Sequence, residues 1–348
     1  MGTPSATTPG GVLSWTPRAL PPSCFAFVMA SGIVGVGASL RGLTILASVI
    51  VTIASVGYGL LVLATLWRLV AYRQEMLADL RNPKRAFGYF TFVAATGVVA
   101  VCAVAADRTA LALALLVVAT AAWFVLGYAV PWMALFGPRS HPSLVSADGT
   151  WFVWVVASQS VAVLAATLEP AYDSLKAPLA VLAVFTWSVG LAHYAVTGVF
   201  VSLRLLLHGP DATEVDASYW VCMGALAITV VAGARIVEMD ATPVVAATRG
   251  VIAGLAVIFW SFASWLIPVL VGVGFWRHVL RRVPLRYEPS LWSLVFPFGM
   301  YAVAGIYLGR ADSLPFVEVV GQVWFWVGLA AWVVTGAGMV AAALRPRR

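Results

Sequence analysis

FVMASG, residues 27–32, has four relatives further along the same chain: FVAATG at 92–97, WVVASQ at 154–159, WVCMGA at 220–225 and WSLVFP at 292–297. In each, an aromatic residue precedes a marked position by four residues, close to one helical turn. The marked positions are Ser31, Thr96, Ser158, Gly224 and Phe296, separated by 65, 62, 66 and 72 residues. Self-similarity at a near-constant period is the signature of a repeated supersecondary unit. In a chain this apolar, the unit expected is a pair of membrane helices, five times over.

The composition fixes the solvent. The 348 residues are 62% hydrophobic and 10% charged, with a mean hydropathy of +0.95. A soluble domain carries roughly a quarter charged residues, so this chain has too little charge to cover an aqueous surface. It reads as an all-α integral membrane protein. Crossing the hydrocarbon core takes about 20 apolar residues in a helix. Ten segments qualify: 23–40, 43–69, 87–106, 109–136, 151–168, 177–207, 218–237, 243–276, 290–309 and 316–343. The odd ones are short and rich in Gly, Ser and Thr; the even ones are longer and richer in Leu, Val and Ala. Residues 1–20 read as a flexible cytoplasmic tail and 21–344 as a single ten-helix transmembrane domain.

The charges sit between the apolar runs, where membrane topology explains them better than nucleic acid does. With ten spans, 15 of the 21 Lys and Arg residues fall on the side that holds both termini, and six on the other. The positive-inside rule places that side in the cytoplasm of a multi-pass protein of the cell membrane. RQEMLADLRNPKR (73–85) reads as a basic cytoplasmic loop against anionic headgroups. Cys24, Cys102 and Cys222 lie inside apolar runs without CxxC spacing and read as small buried hydrophobes. HExxH, Walker A and GxSxG signatures are absent, and no enzyme, metal or cofactor is expected.

Five similar hairpins pack naturally around a quasi-fivefold axis with the odd helices inside. The four small marked residues, together with Gly32 and Gly97, would then line a pore, and Phe296 would fill the gap they leave. Phe298 is the rival plug, because Pro297 and Gly299 kink the helix and blur its facing. Small residues also serve close helix packing, which is the plain alternative for Gly32. Broken helices near Gly32, Gly35, Gly37 and Gly224 would expose backbone donors to an ion. A lining of O–H and N–H donors without intramembrane carboxylates favours small anions and disfavours tight proton coupling. Arg235, Glu238, Asp240 and Arg249, near the ends of their segments, read as solvated loop pairing, with a charged cluster at the pore mouth as the alternative; His193 reads as a hydrogen-bonded residue of an outer helix rather than a proton carrier or metal ligand.

PPSCFAFVMASGIVGVG (21–37), YWVCMGALAI (219–228) and EPSLWSLVFPFGMYAVAG (288–305) resemble the tellurite-resistance/dicarboxylate transporter family, related to the slow-type anion channels of plant guard cells. The resemblance implies ten helices in five hairpins, a central pore in each protomer, a homotrimer in bacterial relatives, and a gating phenylalanine that maps onto Phe296. The expected activity is an anion channel or uniporter-like transporter in the lipid bilayer. The alternative is a proton-coupled carrier exporting C4-dicarboxylates, sulfite or tellurite-related oxyanions.

Overall fold

The computed structural model describes residues 17–136 and 143–344; most of the expected tail, together with Arg139 and the last four residues, lies outside them. Among the described residues, ten helical stretches are long and apolar enough to cross a membrane. Their long helices are α1 (Ala26–Leu40), α2 (Thr44–Ala71), α3 (Phe90–Ala105), α4 (Thr109–Phe136) and α5 (Val153–Leu168). They continue as α6 (Lys176–His208), α7 (Val221–Val237), α8 (Pro243–Phe275), α9 (Trp292–Ala311) and α10 (Pro315–Leu344). The segments read from the sequence match these within three residues at either end.

Each odd helix is entered through a short 3₁₀ turn: Pro22–Phe25, Phe87–Tyr89, Gly149–Phe152, Ala217–Trp220 and Pro289–Leu291. Local chemistry supports two of these entries. The Asp148 carboxylate accepts from the Thr150 backbone N–H at 2.8 Å, and that of Asp216 from Ser218 N–H at 2.9 Å, satisfying donors a helix start leaves orphaned. Desolvation in this packed turn, with Asp216 alongside, pushes the Asp148 carboxyl up to about 7.

Burial separates two layers. In the odd spans 67–83% of the apolar window is buried, against 11–39% in the even ones, so the even helices carry the lipid-facing surface. Contacts run in cyclic order. Helix α1 packs on α3, α3 on α5, α5 on α7, α7 on α9, and α9 back on α1. Each even helix packs on the odd helix before it and also touches the next odd one, with α10 reaching α1.

Helices α1 and α7 run without a break past Gly32, Gly35, Gly37 and Gly224, and α9 runs through Pro297. The expected interruptions are absent because these glycines admit neighbours. A Cβ on Gly32 would stand 2.3 Å from a Val98 methyl, one on Gly224 2.8 Å from the Pro297 ring, and one on Gly299 2.9 Å from an Ile33 methyl. Close packing of this kind is what small residues provide where the hydrophobic effect does not drive helices together.

The basic loop also turns partly inward. Within it the helix Arg73–Leu80 presents Asp79, which is buried between Arg68 at 2.6 Å and Arg85 at 2.8 Å.

Candidate functional site

A cavity of about 30 Å³ lies between all five odd helices, room for a water or two. Its lining is ordered in levels. Ile33, Val98, Ser160, Ile228 and Met300 contribute one residue from each of α1, α3, α5, α7 and α9. Roughly one turn further along stand Val36, Val101, Val163, Val231 and Val303, a valine from every odd helix. Beyond the valines, Thr167, Arg235 and Tyr307 line the end at which the odd helices finish. Of the expected lining residues, Gly97 borders the cavity, and a Cβ there would stand 3.0 Å from the Ser160 Cβ.

The three marked hydroxyls engage the outer layer. The Trp332 indole N–H on α10 donates to Ser31 Oγ at 2.9 Å, and that of Trp123 on α4 donates to Ser158 Oγ at 2.9 Å. Tyr58 Oη on α2 hydrogen-bonds Thr96 Oγ1 at 2.9 Å. The other two junctions carry their own bonds. Tyr301 on α9 meets Ser264 on α8 at 2.6 Å, and the Trp187 N–H on α6 donates to the Thr229 carbonyl of α7 at 3.1 Å. Every even helix is thus clasped to the odd helix of the following hairpin. His193 joins the Ser158 clasp, its Nδ1 3.1 Å from Oγ and its ring stacked on Trp154 at 3.7 Å.

The two phenylalanines part company. Phe296 is buried, 1% exposed. It precedes the cavity residues Met300, Val303 and Tyr307 by 4, 7 and 11 positions, the spacing of one helix face. Phe298 stands edge-on to Trp220 at 4.8 Å and to Trp324 of α10 at 6.0 Å, in an aromatic group between α9 and its neighbours. Pro297, between them, seats its ring against Gly224.

Charge reaches the cavity at one residue, Arg235, in the last turn of α7. Its Nη1 donates to Glu238 at 2.6 Å, and its guanidinium lies 5.5 Å from the centre of the Tyr307 ring. The other members of the expected loop pairing go elsewhere: Asp240 to Lys176 at 2.7 Å, and Arg249 to the Met239 carbonyl at 2.7 Å. The valine level escaped the sequence reading, and the placing of Arg235 at the cavity stood there only as the alternative to loop pairing. Valine is too common in membrane spans to stand out, and an arginine near a segment end passes for loop. The five-residue level is nevertheless written in the spacing, at 65, 62, 68 and 72 residues.

The five short helices thus pack in cyclic contact around a lined cavity, with a more exposed apolar layer outside them. The chain belongs to the voltage-dependent anion channel family, whose profile it matches over residues 19–340. It is 50% identical over 147 residues to an uncharacterized membrane protein of Mycobacterium tuberculosis, covering 42% of this chain and 75% of that protein. An uncharacterized transporter of Methanocaldococcus jannaschii is 23% identical over 151 residues, 43% of each chain. The protein is a multi-pass member of a channel and transporter family, with an anion-transporting role of that class.

Proposed function

We propose that the protein is an anion channel or uniporter-like conduit, with its path along the axis enclosed by α1, α3, α5, α7 and α9. The observation that carries this reading is the cavity shared by one face of all five helices, with Phe296 on the α9 face that continues into it. The anion path runs past Phe296, the level of Ser160 and Met300, and the five valines, and ends at Arg235. Phe296 is the occluding ring, and Phe298 anchors its helix from behind. The residues around Ser31, Thr96, Ser158 and Gly224 set the bore by holding the helices at fixed distance.

Asp, Glu and His are missing from the cavity lining, so passive flow is favoured over exchange with protons. Valine rings pass ions only with partial dehydration, so small, weakly hydrated monovalent anions are the expected cargo. Both termini face the cytoplasm, and the chain assembles as a homotrimer with one conduit in each protomer.

Planar bilayer recording of the purified full chain tests the reading. Phe296→Ala should raise chloride and nitrate current at least tenfold over wild type, while Phe298→Ala leaves it at the wild-type level. A folded Phe296→Ala protein with wild-type current would remove the phenylalanine gate, and one that carries no current would remove the conduit.

A further inference from the structure

The conduit needs something at its far end that attracts an anion before the apolar valine level strips its water. We propose that Arg235 and the Tyr307 hydroxyl form a binding station there for a small monovalent anion such as nitrate or chloride. Glu238 holds the guanidinium whenever the station is empty. This inference rests on the axial conduit proposed above and adds a specific site to it.

Four observations converge on Arg235. It is the charged residue of the lining, one turn beyond Val231. Of its five N–H donors, one is engaged by a side-chain acceptor, Glu238 Oε2, which leaves a fork able to take a second acceptor. Its guanidinium carbon lies 5.5 Å from the centre of the Tyr307 ring, within cation–π reach. Tyr307, on the same lining, has no side-chain hydrogen bond among the described residues. A cation with spare donors near a tyrosine ring, at the rim of an apolar cavity, has the chemistry of an anion site. The position is also favourable in the empty state, since a cation in the last turn of α7 meets the negative end of the helix dipole.

The choice of anion follows from the same geometry. A guanidinium released by Glu238 compensates a single charge, and a divalent anion would keep an excess that the valines cannot solvate. The station should therefore favour anions in order of easy dehydration, nitrate ahead of chloride and both far ahead of sulfate.

Chloride NMR line broadening of the detergent-solubilised full chain measures binding without flux, and bilayer conductance in a Phe296→Ala background measures passage. Arg235→Gln should abolish the broadening and lower conductance at low chloride by about tenfold. Arg235→Lys should retain most of both. Glu238→Gln, which removes the competing carboxylate, should shift half-saturation to lower chloride. Nitrate should compete the broadening away at lower concentration than chloride itself requires, and sulfate should fail to compete. Broadening that persists in a folded Arg235→Gln protein, or a Glu238→Gln protein with unchanged half-saturation, overturns the station. Broadening that depends on Arg235 in a protein whose Phe296→Ala form carries no current would keep the station and remove the conduit.

Discussion

Phe296 and Phe298 are two residues apart, which on a helix turns them about 200° away from each other. One ring therefore faces along the cavity stripe of α9 and the other into the Trp220 and Trp324 group. The motif FPF was legible as a special place in the sequence; which ring faces inward was not, because facing depends on the neighbours a helix finds. Gly149 makes a sharper case. A Cβ there would stand 2.3 Å from both the Ser218 carbonyl carbon and the Tyr219 nitrogen. Those are backbone atoms of the turn entering α7, and backbone gives way less cheaply than a flexible side chain. Gly149→Ala should therefore lower stability by about 1–3 kcal/mol, the usual cost of overpacking. Gly59→Ala, on a part of α2 where a Cβ meets nothing within 4 Å, serves as the neutral control. Thermal unfolding of the two variants in the same detergent checks the difference, and equal midpoints would contradict it.

Pairs of helices give the repeated aromatic-plus-four pattern its meaning. The period predicted five related hairpins, and the marked hydroxyls do recur at the same kind of place, but that place is the junction with the preceding outer helix. Two residues further along, at Ile33, Val98 and Ser160, the same helices face the cavity. The last two copies differ in register. Gly224 and Phe296 precede the cavity residues Ile228 and Met300 by four, where Ser31, Thr96 and Ser158 precede theirs by two. A period alone carries no angular information, so a lining and a clasp look identical in one sequence. The two roles separate by experiment. Ser31→Ala leaves the Trp332 N–H without its acceptor and should cost about 0.6–2 kcal/mol, the range measured for interhelical hydrogen bonds in membranes. The anion permeability ratio in the Phe296→Ala background should not move. A changed nitrate-to-chloride ratio with unaltered stability would return Ser31 to the lining.

Across the whole molecule, closure of the ring sets the remaining properties. Contacts pass from α1 through α3, α5, α7 and α9 and back to α1, so the first and last hairpins seal a boundary that neither can make alone. The Trp332 to Ser31 bond joins residues 301 positions apart. Membrane depth and the count of ten spans were legible because hydropathy and length fix them. The inner and outer layers followed from the contrast in small residues, whereas the inward turn of Arg235 needed the packed α7 and α9 to appear. Orientation is the global property still open to a direct test. With ten spans the exposed Arg281, after α8, and the exposed Arg108, between α3 and α4, lie at opposite ends of the helix ring. The excess of Lys and Arg on the Arg281 side assigns that side to the cytoplasm. Arg281→Cys and Arg108→Cys, each placed in a chain whose Cys24, Cys102 and Cys222 are replaced by Ala, report on the two ends separately. In intact cells a membrane-impermeant maleimide should label residue 108 and spare residue 281. In inside-out vesicles the pattern should reverse. Labelling of both from one side would break the ten-span topology, and labelling of residue 281 in intact cells would invert it, bringing the Arg235 end of the cavity to the cytoplasm and the Phe296 end outside.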